Sequence, residues 1–260
     1  MVFMVIGGTV LVQGLSGGLV ARLLGLQRPG NRGYAILGAN ELGHALGRLL
    51  RDCGEEVMFL DGNPRACHAV EQDGFKVVYG NVMLERTLFR ARVEDRAACI
   101  GLSTNDEINL VFARTAADDF RVERIDIALR RDRMSVTREL LEEVGAGVLF
   151  GCPRDLDLWV VRTRRGLTQI ENWQLQRDLL RAGGADAVQD PFRGWENFVL
   201  PLVIQRGKNC FPVSSRRPIR KGDTVCCVLF AEQLGTARER LEENGWIPVN
   251  EHGNPIPPES

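Results

Sequence analysis

The segment YAILGANELGHALGRLLRDCGEEVMFLD, residues 34–61, decides the fold. An apolar run at 34–37 leads into a glycine-containing turn, and the apolar residues that follow recur at helical spacing up to Cys53. Gly54 is placed to end that helix, and a second apolar run finishes at Asp61. Strand, glycine turn, helix and strand in this order, with an acidic residue closing the second strand, are the layout of a dinucleotide-binding βαβ unit.

The alternation of strand-like and helix-like segments continues to about residue 150. Asn63 and Pro64 are typical of a helix cap and a first helical turn, and they predict a helix that ends near Asp73. Further candidate strands lie at 75–79, 97–102, 125–129 and 148–150, and helical patterns occupy 108–117 and 134–144. Six strands with intervening helices predict a doubly wound parallel sheet, an α/β Rossmann domain, over residues 33–151.

The glycine turn allows two interpretations. Asn40 stands where a second glycine normally lets the backbone approach a pyrophosphate closely. In the first interpretation the turn from Gly38 to Gly43 still binds a nucleotide, and Asp61 binds its ribose. In the second, the two glycines only permit a tight turn and close strand–helix packing, and Asp61 accepts hydrogen bonds from the backbone near Asn63. The residues by themselves leave both open.

Composition excludes several classes of protein. The chain has 33 basic and 34 acidic residues and a formal charge of −1, so no global electrostatic term favours nucleic acid as a partner. With 26% charged and 44% hydrophobic residues it has an ordinary globular balance. The seven cysteines show no C-x-x-C spacing and lie mostly in apolar runs. They predict buried, reduced thiols rather than a disulfide framework or a zinc site.

The amino-terminal segment has a different composition from the rest. No residue from Met1 to Ala21 is charged, and such a length suffices to cross a hydrocarbon core of about 30 Å. Its glycines suit close packing against other transmembrane helices. We therefore predict a transmembrane-like helix at 1–26 and a linker at 27–32; a buried helix of a soluble protein is the alternative. Arginines follow the apolar stretch, which places the downstream chain in the cytoplasm by the positive-inside rule.

The carboxyl-terminal part has a different rhythm. Residues 159–167 predict a strand and a turn inside a connecting segment, 152–195. Residues 198–205, 218–223 and 224–230 predict a small β-rich subdomain over 196–248, closed by a helix at 232–244. The proline-containing tail, 249–260, is expected to be disordered.

Candidate catalytic groups are few. His44 and His68 fall in predicted helices, His252 lies in the tail, and neither Tyr34 nor Tyr79 has a lysine four residues later. A dehydrogenase needs a proton donor or acceptor beside the hydride. The sequence therefore predicts no catalytic residue and no metal site, and a soluble NAD(P)-dependent oxidoreductase is kept only as an alternative.

Short stretches of the Rossmann part carry a resemblance to a known family: AILGA at 35–39, FKVVYGN at 75–81, GLSTNDEINL at 101–110, IALR at 127–130 and LLEEVGA at 140–146. On these, residues 33–151 resemble an RCK domain, the regulator-of-potassium-conductance module also called TrkA-N. The β-rich part is similar to an RCK carboxyl-terminal subdomain. The stretches GTVLVQGLS at 8–16 and ARLLGL at 21–26 resemble the last transmembrane helix of monovalent cation:proton antiporters of the sodium/proton exchanger type.

The resemblance implies a set of nucleotide contacts. Asp61 would bind ribose hydroxyls, and Ser103 or Thr104 with Arg130 would lie near the nucleotide. The whole expected cofactor-binding set is Gly38, Ala39, Asn40, Gly43, Asp61, Asn81, Ser103, Thr104 and Arg130. Two departures matter: Asn40 and Glu41 stand where the family often has Gly-Arg, and Asn81 replaces a common aspartate. NAD(H), AMP or another adenine nucleotide, or no ligand, remain open.

The resemblance also implies a function. It is that of a non-catalytic, nucleotide-sensing regulatory module of a sodium or potassium/proton antiporter or of a potassium transport system. The module is expected to form a homodimer and to act on a membrane transporter domain, encoded upstream or separately. The expected location is the inner membrane, with the bulk of the chain on its cytoplasmic side. A ligand-free assembly scaffold is a further alternative.

Overall fold

A six-stranded parallel sheet forms the first half of the molecule. The computed structural model describes residues 32–131, 135–178, 191–250 and 253–256. The strands of this sheet are β1 (Tyr34–Leu37), β2 (Val57–Asp61), β3 (Lys76–Tyr79), β4 (Ala98–Gly101), β5 (Ile125–Ile127) and β6 (Gly147–Val148). Their order is β3-β2-β1-β4-β5-β6, and every neighbouring pair is parallel. The predicted doubly wound Rossmann sheet is confirmed, and the order in which the chain adds strands reverses between β1 and β4.

Capped helices connect these strands. They are α1 (Glu41–Asp52), α2 (Pro64–Gln72), α3 (Glu85–Arg90), α4 (Asp106–Asp118) and α5 (Arg138–Val144). Asn40, Asn63 and Asn105 accept hydrogen bonds at the first turns of α1, α2 and α4. Part of the predicted helix at 134–144 lies outside the described residues, and α5 begins only after Thr137.

A second, antiparallel sheet follows. Its strands are β7 (Thr168–Leu175), β8 (Val199–Arg206), β9 (Asn209–Pro212), β10 (Thr224–Phe230) and β11 (Trp246–Val249), in the order β11-β7-β10-β8-β9. Helix α7 (Leu234–Glu243) precedes β11. The predicted β-rich unit and its closing helix are therefore present. Residues 218–223, however, form a turn, in which Asp223 accepts a hydrogen bond from the backbone of Arg220 at 2.8 Å.

Residues 159–167 do not form the predicted strand. They belong mostly to a helix, α6 (Leu156–Arg164). Asp155 caps α6 by accepting a hydrogen bond from the backbone of Leu158 at 3.1 Å, and Leu156, Trp159 and Val160 are buried. These three buried positions have the spacing of one helix face. The β-branched valines and threonine of the same segment favour a strand, so the sequence did not reveal this helical spacing. The expected connecting segment, 152–195, thus contains α6 and the central strand β7, and the second sheet begins at 168 rather than at 196.

The two sheets share one apolar core. Ile36 and Phe59 of the parallel sheet and Leu202 of β8 are fully buried in the same cluster, to which Trp159 of α6 also belongs. Two further clusters cover the outer faces: one around Phe112 of α4, the other around the buried tryptophans of β7 and β11. Because the central cluster draws side chains from both sheets, the sheets are packed into one body.

The cysteines contradict the prediction in one respect. Cys53 and Cys210 form a disulfide, with a Cα–Cα distance of 6.1 Å across 157 residues of sequence, so the expectation of reduced thiols throughout is wrong. Cys53 caps the end of α1, and Cys210 lies in β9. Folding brings the two cysteines together, and no local spacing in the sequence predicts such a pair. Cys67, Cys99, Cys226 and Cys227 are free and buried, as predicted, and Cys152, which is outside the disulfide, is half-buried.

The predictions for the two ends fall largely outside the described residues. The transmembrane-like helix at 1–26 and nearly all of the 27–32 linker do so. Among the described residues, no helix combines the length and apolar character that crossing a bilayer requires. In the carboxyl-terminal tail only 249–250 and 253–256 are described, and there the backbone of Ile256 donates a hydrogen bond to Pro248 at 3.0 Å.

Candidate functional site

The glycine turn lies at the carboxyl ends of β1 and β4. Gly38 has φ of 111°, a conformation that favours glycine, and a β-carbon there would stand 2.5 Å from the carbonyl oxygen of Leu102. A β-carbon on Gly43 would clash with the carbonyl of Gly38. Both glycines are therefore required by close packing between the turn, α1 and the end of β4. Their presence fits either interpretation of the motif.

Asn40 has a defined structural task. Its side-chain oxygen accepts a hydrogen bond from the backbone of Gly43 at 2.9 Å, and its amide donates to the carbonyl of Leu102 at 2.7 Å. It thereby caps α1 and ties the turn to β4. The departure from glycine at this position replaces an open approach to the backbone with an internal cross-link.

Asp61 closes β2 beside the turn. Its Oδ2 accepts a hydrogen bond from the backbone of Ala39 at 2.7 Å, and its Oδ1 accepts one from Asn63 at 2.7 Å. The side chain is half-buried, and each carboxylate oxygen retains acceptor capacity beyond these bonds. The backbone bonds orient the carboxylate, and its spare lone pairs match the hydroxyl donors of a ribose.

An acidic side chain occupies the amino end of α1. Glu41 is paired with Arg164 of α6, with Nε–Oε1 and Nη2–Oε2 distances of 2.5 and 3.2 Å. Burial opposes ionisation of Glu41, but the hydrogen bond from Arg164, a backbone hydrogen bond and the nearby positive charge together outweigh it and lower the pKa of the carboxyl. The partial positive charge of the helix end, which binds phosphate in other nucleotide sites, is thus already met by an internal carboxylate.

The loop after β4 is held by a buried amide. The hydroxyl and backbone N–H of Ser103 donate to Oδ1 of Asn109 at 2.7 and 3.0 Å. The amide of Asn109, which is fully buried, donates to the carbonyls of Ser103 and Ala128. The predicted site residue Ser103 therefore has a structural role in joining the loops that follow β4 and β5.

Arg130 and Thr104 come together at the same edge. The guanidinium of Arg130 donates to the carbonyl oxygen of Thr104 at 3.3 Å and pairs with Asp157 of α6 at 3.1 Å. The backbone of Arg130 also donates to Asp106 at the start of α4. Arg130 thus lies at the same edge as the glycine turn, where its charge is balanced by a carboxylate from outside the Rossmann part.

Asn81 lies after the edge strand β3. Its side chain accepts a hydrogen bond from the backbone of Met83 at 2.9 Å and is exposed, so it shapes a local turn. Tyr79, the last residue of β3, is in register with Asp61 and 55% exposed. Sequence reasoning considered Tyr79 only as a catalytic group. Its position beside Asp61 follows from the strand register, which the fold reveals.

Glu41 was noted only for its charge, and Asn109 was not selected as a site residue. Asn109 occurs in a quoted family stretch, but only the fold shows that its amide joins two loops. Arg164 is 123 residues from Glu41, so no local pattern could have paired them.

The two histidines that the structure describes make contacts on the helices α1 and α2. Nε2 of His44 is 2.7 Å from Asp73, which follows α2, and burial lowers the pKa of the imidazole. His68 is exposed on α2 and hydrogen-bonds to Gln72. His252 lies outside the described residues.

Comparison with protein families supports the resemblance of the parallel-sheet region to a TrkA-N domain. Residues 34–150 match the model of the TrkA-N domain family, in agreement with the sequence resemblance over 33–151. A search of the curated proteins found no match.

Solved structures to which the chain is similar include the TrkA-N domain of inner membrane protein ybaL from Escherichia coli, at 17% identity and a TM-score of 0.42, covering 53% of this chain and 96% of that one. The NAD(P)-binding domain of an exopolyphosphatase-related protein from Archaeoglobus fulgidus has 22% identity and a TM-score of 0.39, covering 45% and 86%. The GsuK channel bound to NAD has 17% identity and a TM-score of 0.40, covering 78% of this chain but only 38% of that one.

Proposed function

We propose that this chain is a non-catalytic regulatory module that senses a nucleotide at the Gly38 turn and acts on a transporter of monovalent cations. The match of residues 34–150 to the TrkA-N family supports the class of protein. The observation that carries the ligand is Asp61, whose carboxylate is held by Ala39 and Asn63 at the end of β2 and keeps acceptor capacity for a ribose.

The polar groups around the turn favour a ligand with few phosphates. Glu41 places a negative charge at the amino end of α1, and Asn40 already uses the N–H of Gly43. Because the Glu41–Arg164 pair carries no net charge and the N–H of Gly43 is already used, the turn offers little to bind a triphosphate, whereas AMP or NAD(H) brings less charge to that point. Tyr79 offers an exposed ring next to Asp61, suited to stacking on an adenine.

The absence of catalysis is part of the proposal. Ser103, Asn109 and Arg130 are engaged in hydrogen bonds that join the loops of this edge, and His44 is paired with Asp73 elsewhere. These arrangements suit a site that binds rather than one that transfers a proton or hydride.

The transporter is proposed from the amino-terminal resemblance. Residues 1–26 are similar to the final helix of a monovalent cation:proton antiporter, so we place the module on the cytoplasmic side of the inner membrane, linked to or assembled with such a transporter. In a homodimer, a nucleotide that binds one arrangement of the two copies more tightly would shift the population toward that arrangement. The membrane part would sense that shift.

Calorimetric titration of the 260-residue chain with AMP, NADH, NAD, ADP and ATP tests the ligand. We expect AMP or NADH to bind, and Asp61→Ala to raise the Kd at least tenfold. The matched control is Asp118→Ala, which removes an exposed carboxylate at the end of α4 and should leave the Kd unchanged. Circular dichroism checks that each variant is folded. Absence of binding by the folded chain, or equal affinity in Asp61→Ala, would reject the nucleotide and leave the assembly scaffold.

A further inference from the structure

A second polar cleft lies at the opposite edge of the parallel sheet. It opens at the amino ends of β1, β4 and β5, where residues 212–217 of the second sheet cross them, and it has a volume of about 80 Å³. The polar residues that line it include Tyr34, Arg124, Asp126, Ser214, Arg216 and Arg217. The cleft is thus built from both halves of the molecule and is separate from the glycine turn.

The crossing segment is fixed by main-chain hydrogen bonds. The backbone of Phe150 donates to the carbonyl of Val213 at 2.7 Å, and the backbone of Val148 donates to the hydroxyl of Ser215 at 2.9 Å. The hydroxyl of Ser214 donates to Oδ1 of Asp126. A β-carbon at Gly147 would clash with both of these side-chain oxygens, so glycine is required for the two groups to meet. The cleft walls are therefore positioned before any ligand binds.

Positive charge in this cleft exceeds negative charge. Arg124, Arg216 and Arg217 all line it, and in the part of the chain that the structure describes none of them forms an ion pair with a carboxylate. Arg124 donates from Nε to the carbonyl of Ala97, and the guanidinium of Arg217 lies 3.8 Å from the centre of the Phe211 ring. Both contacts orient the guanidinium groups and leave other N–H donors unused.

The remaining polar groups suit an anion. Burial raises the pKa of the Asp126 carboxyl, against the opposing effects of the hydrogen bond from Ser214 and of the three arginines. Burial also raises the pKa of Tyr34 to about 12, so its hydroxyl stays protonated and able to donate. Within the described residues that hydroxyl has no hydrogen-bond partner. Glu123 is exposed at the rim.

We propose that this cleft binds a small oxyanion with the chemistry of phosphate or sulfate, held by Arg124, Arg216 and Arg217 with a hydrogen bond from the Tyr34 hydroxyl. Guanidinium groups match the paired oxygens of such anions. A cavity of about 80 Å³ is small beside the roughly 300–1,000 Å³ pockets that hold drug-sized ligands, and so suits one tetrahedral anion rather than a nucleoside. The anion would bridge the two sheets, since Arg124 belongs to one half and Arg216 and Arg217 to the other.

Calorimetric titration of the 260-residue chain with inorganic phosphate and with sulfate, at ionic strength held constant with sodium chloride, tests this proposal. We expect one anion per chain, and at least a tenfold rise in Kd in Arg217→Gln and in Arg124→Gln. Arg86→Gln is the matched control, because Arg86 is exposed on α3 and does not line the cleft. Thermal unfolding verifies that each variant is folded. If Arg217→Gln disturbs the fold by removing the Phe211 contact, Arg124→Gln still tests the proposal.

A parallel titration with methyl phosphate separates the two sources of such an anion. Equal affinity for methyl phosphate and inorganic phosphate indicates the phosphate group of an ester, and weaker affinity for methyl phosphate indicates the free anion. No binding of either anion, or binding that both Arg217→Gln and Arg124→Gln retain, would overturn the proposal. The result is independent of nucleotide binding at Asp61, since the two sites share no residue.

Discussion

The two edges of the parallel sheet differ in how their polar groups are satisfied. At the carboxyl edge, Asn40 and Asn109 bond to neighbouring backbone, and the charge of Glu41 is balanced by Arg164. At the amino edge, Arg124 and Arg217 line a cleft without carboxylate partners among the described residues. The edge that holds the sequence motif is therefore the internally bonded one, and the edge without a motif holds the unbalanced charge.

This contrast separates two kinds of information in a sequence. A glycine motif reports how closely a turn and a helix must pack, and at Gly38 and Gly43 packing alone accounts for it. Unbalanced charge becomes visible only when distant segments meet, as Arg124 and Arg217 do. At the carboxyl edge, the groups available to a ligand are the unused acceptor positions of the Asp61 carboxylate. At the amino edge, they are the unused N–H donors of the arginines.

The largest loss of stability is expected from removing the disulfide that links the two edges of the sheet. Cys53 ends the helix whose amino end builds the carboxyl edge, and Cys210 lies in β9, which leads into the segment that forms the amino cleft. A crosslink across 157 residues restricts the unfolded chain strongly. We expect the double variant Cys53→Ser/Cys210→Ser to lose about 4 kcal/mol in the free energy of unfolding, measured by urea denaturation.

Cys152→Ser is the control for that experiment, since it removes a thiol that forms no disulfide. Equal stability of the double variant and the parent chain, each under oxidising conditions, would show that the crosslink does not constrain the two regions.

An intermediate effect is expected from breaking the internal bonding of the carboxyl edge. Asn109→Ala leaves the backbone and hydroxyl of Ser103 and the carbonyl of Ala128 without their buried partner. We expect a loss of about 3 kcal/mol in the free energy of unfolding. Ser103→Ala removes only the hydroxyl and should cost about 1 kcal/mol. Similar losses in the two variants would mean that the edge is not organised around Asn109.

The smallest effect concerns the charge at the start of α1. The pKa of Glu41 is lowered in the folded chain. Its pairing with Arg164 therefore stabilises the fold at pH values above the unfolded-state pKa, which is near 4.5. That stabilisation is lost as the pH falls through the folded-state pKa. For a pair with exposed members we expect less than about 1 kcal/mol.

The contribution of the Glu41–Arg164 pair is measured by comparing the free energy of unfolding of the parent chain with that of Glu41→Gln at pH 7 and at pH 3. The difference should shrink at the lower pH, and Arg164→Gln should show the same trend. A difference that does not change with pH would exclude the carboxylate as its source.

Much of the fold was predictable because its signals are local. The strand at 34–37, the cap at Asn63 and the apolar runs of β8 and β10 follow from residues adjacent in sequence. Helix α6 was missed because β-branched residues such as Val160 and Val161 favour a strand locally, whereas its capping by Asp155 and its packing on the second sheet decide for a helix.

The candidate site was predictable in position but not in its bonding. Strand ends bring Gly38, Asp61, Ser103 and Arg130 to one edge, as the βαβ pattern requires. The sequence could not show that Arg164 neutralises Glu41, nor that Cys53 meets Cys210, because each pair is more than 100 residues apart and is joined only by tertiary packing.

The apolar core between the two sheets has a consequence for cooperativity. The match to the TrkA-N family ends at residue 150, yet Ile36 and Phe59 within it are covered by the same cluster that holds Leu202 and Val228 beyond it. We expect removal of the second sheet to expose part of this cluster to water. The family match therefore ends inside a shared core, and we expect the two sheets to unfold together across that boundary.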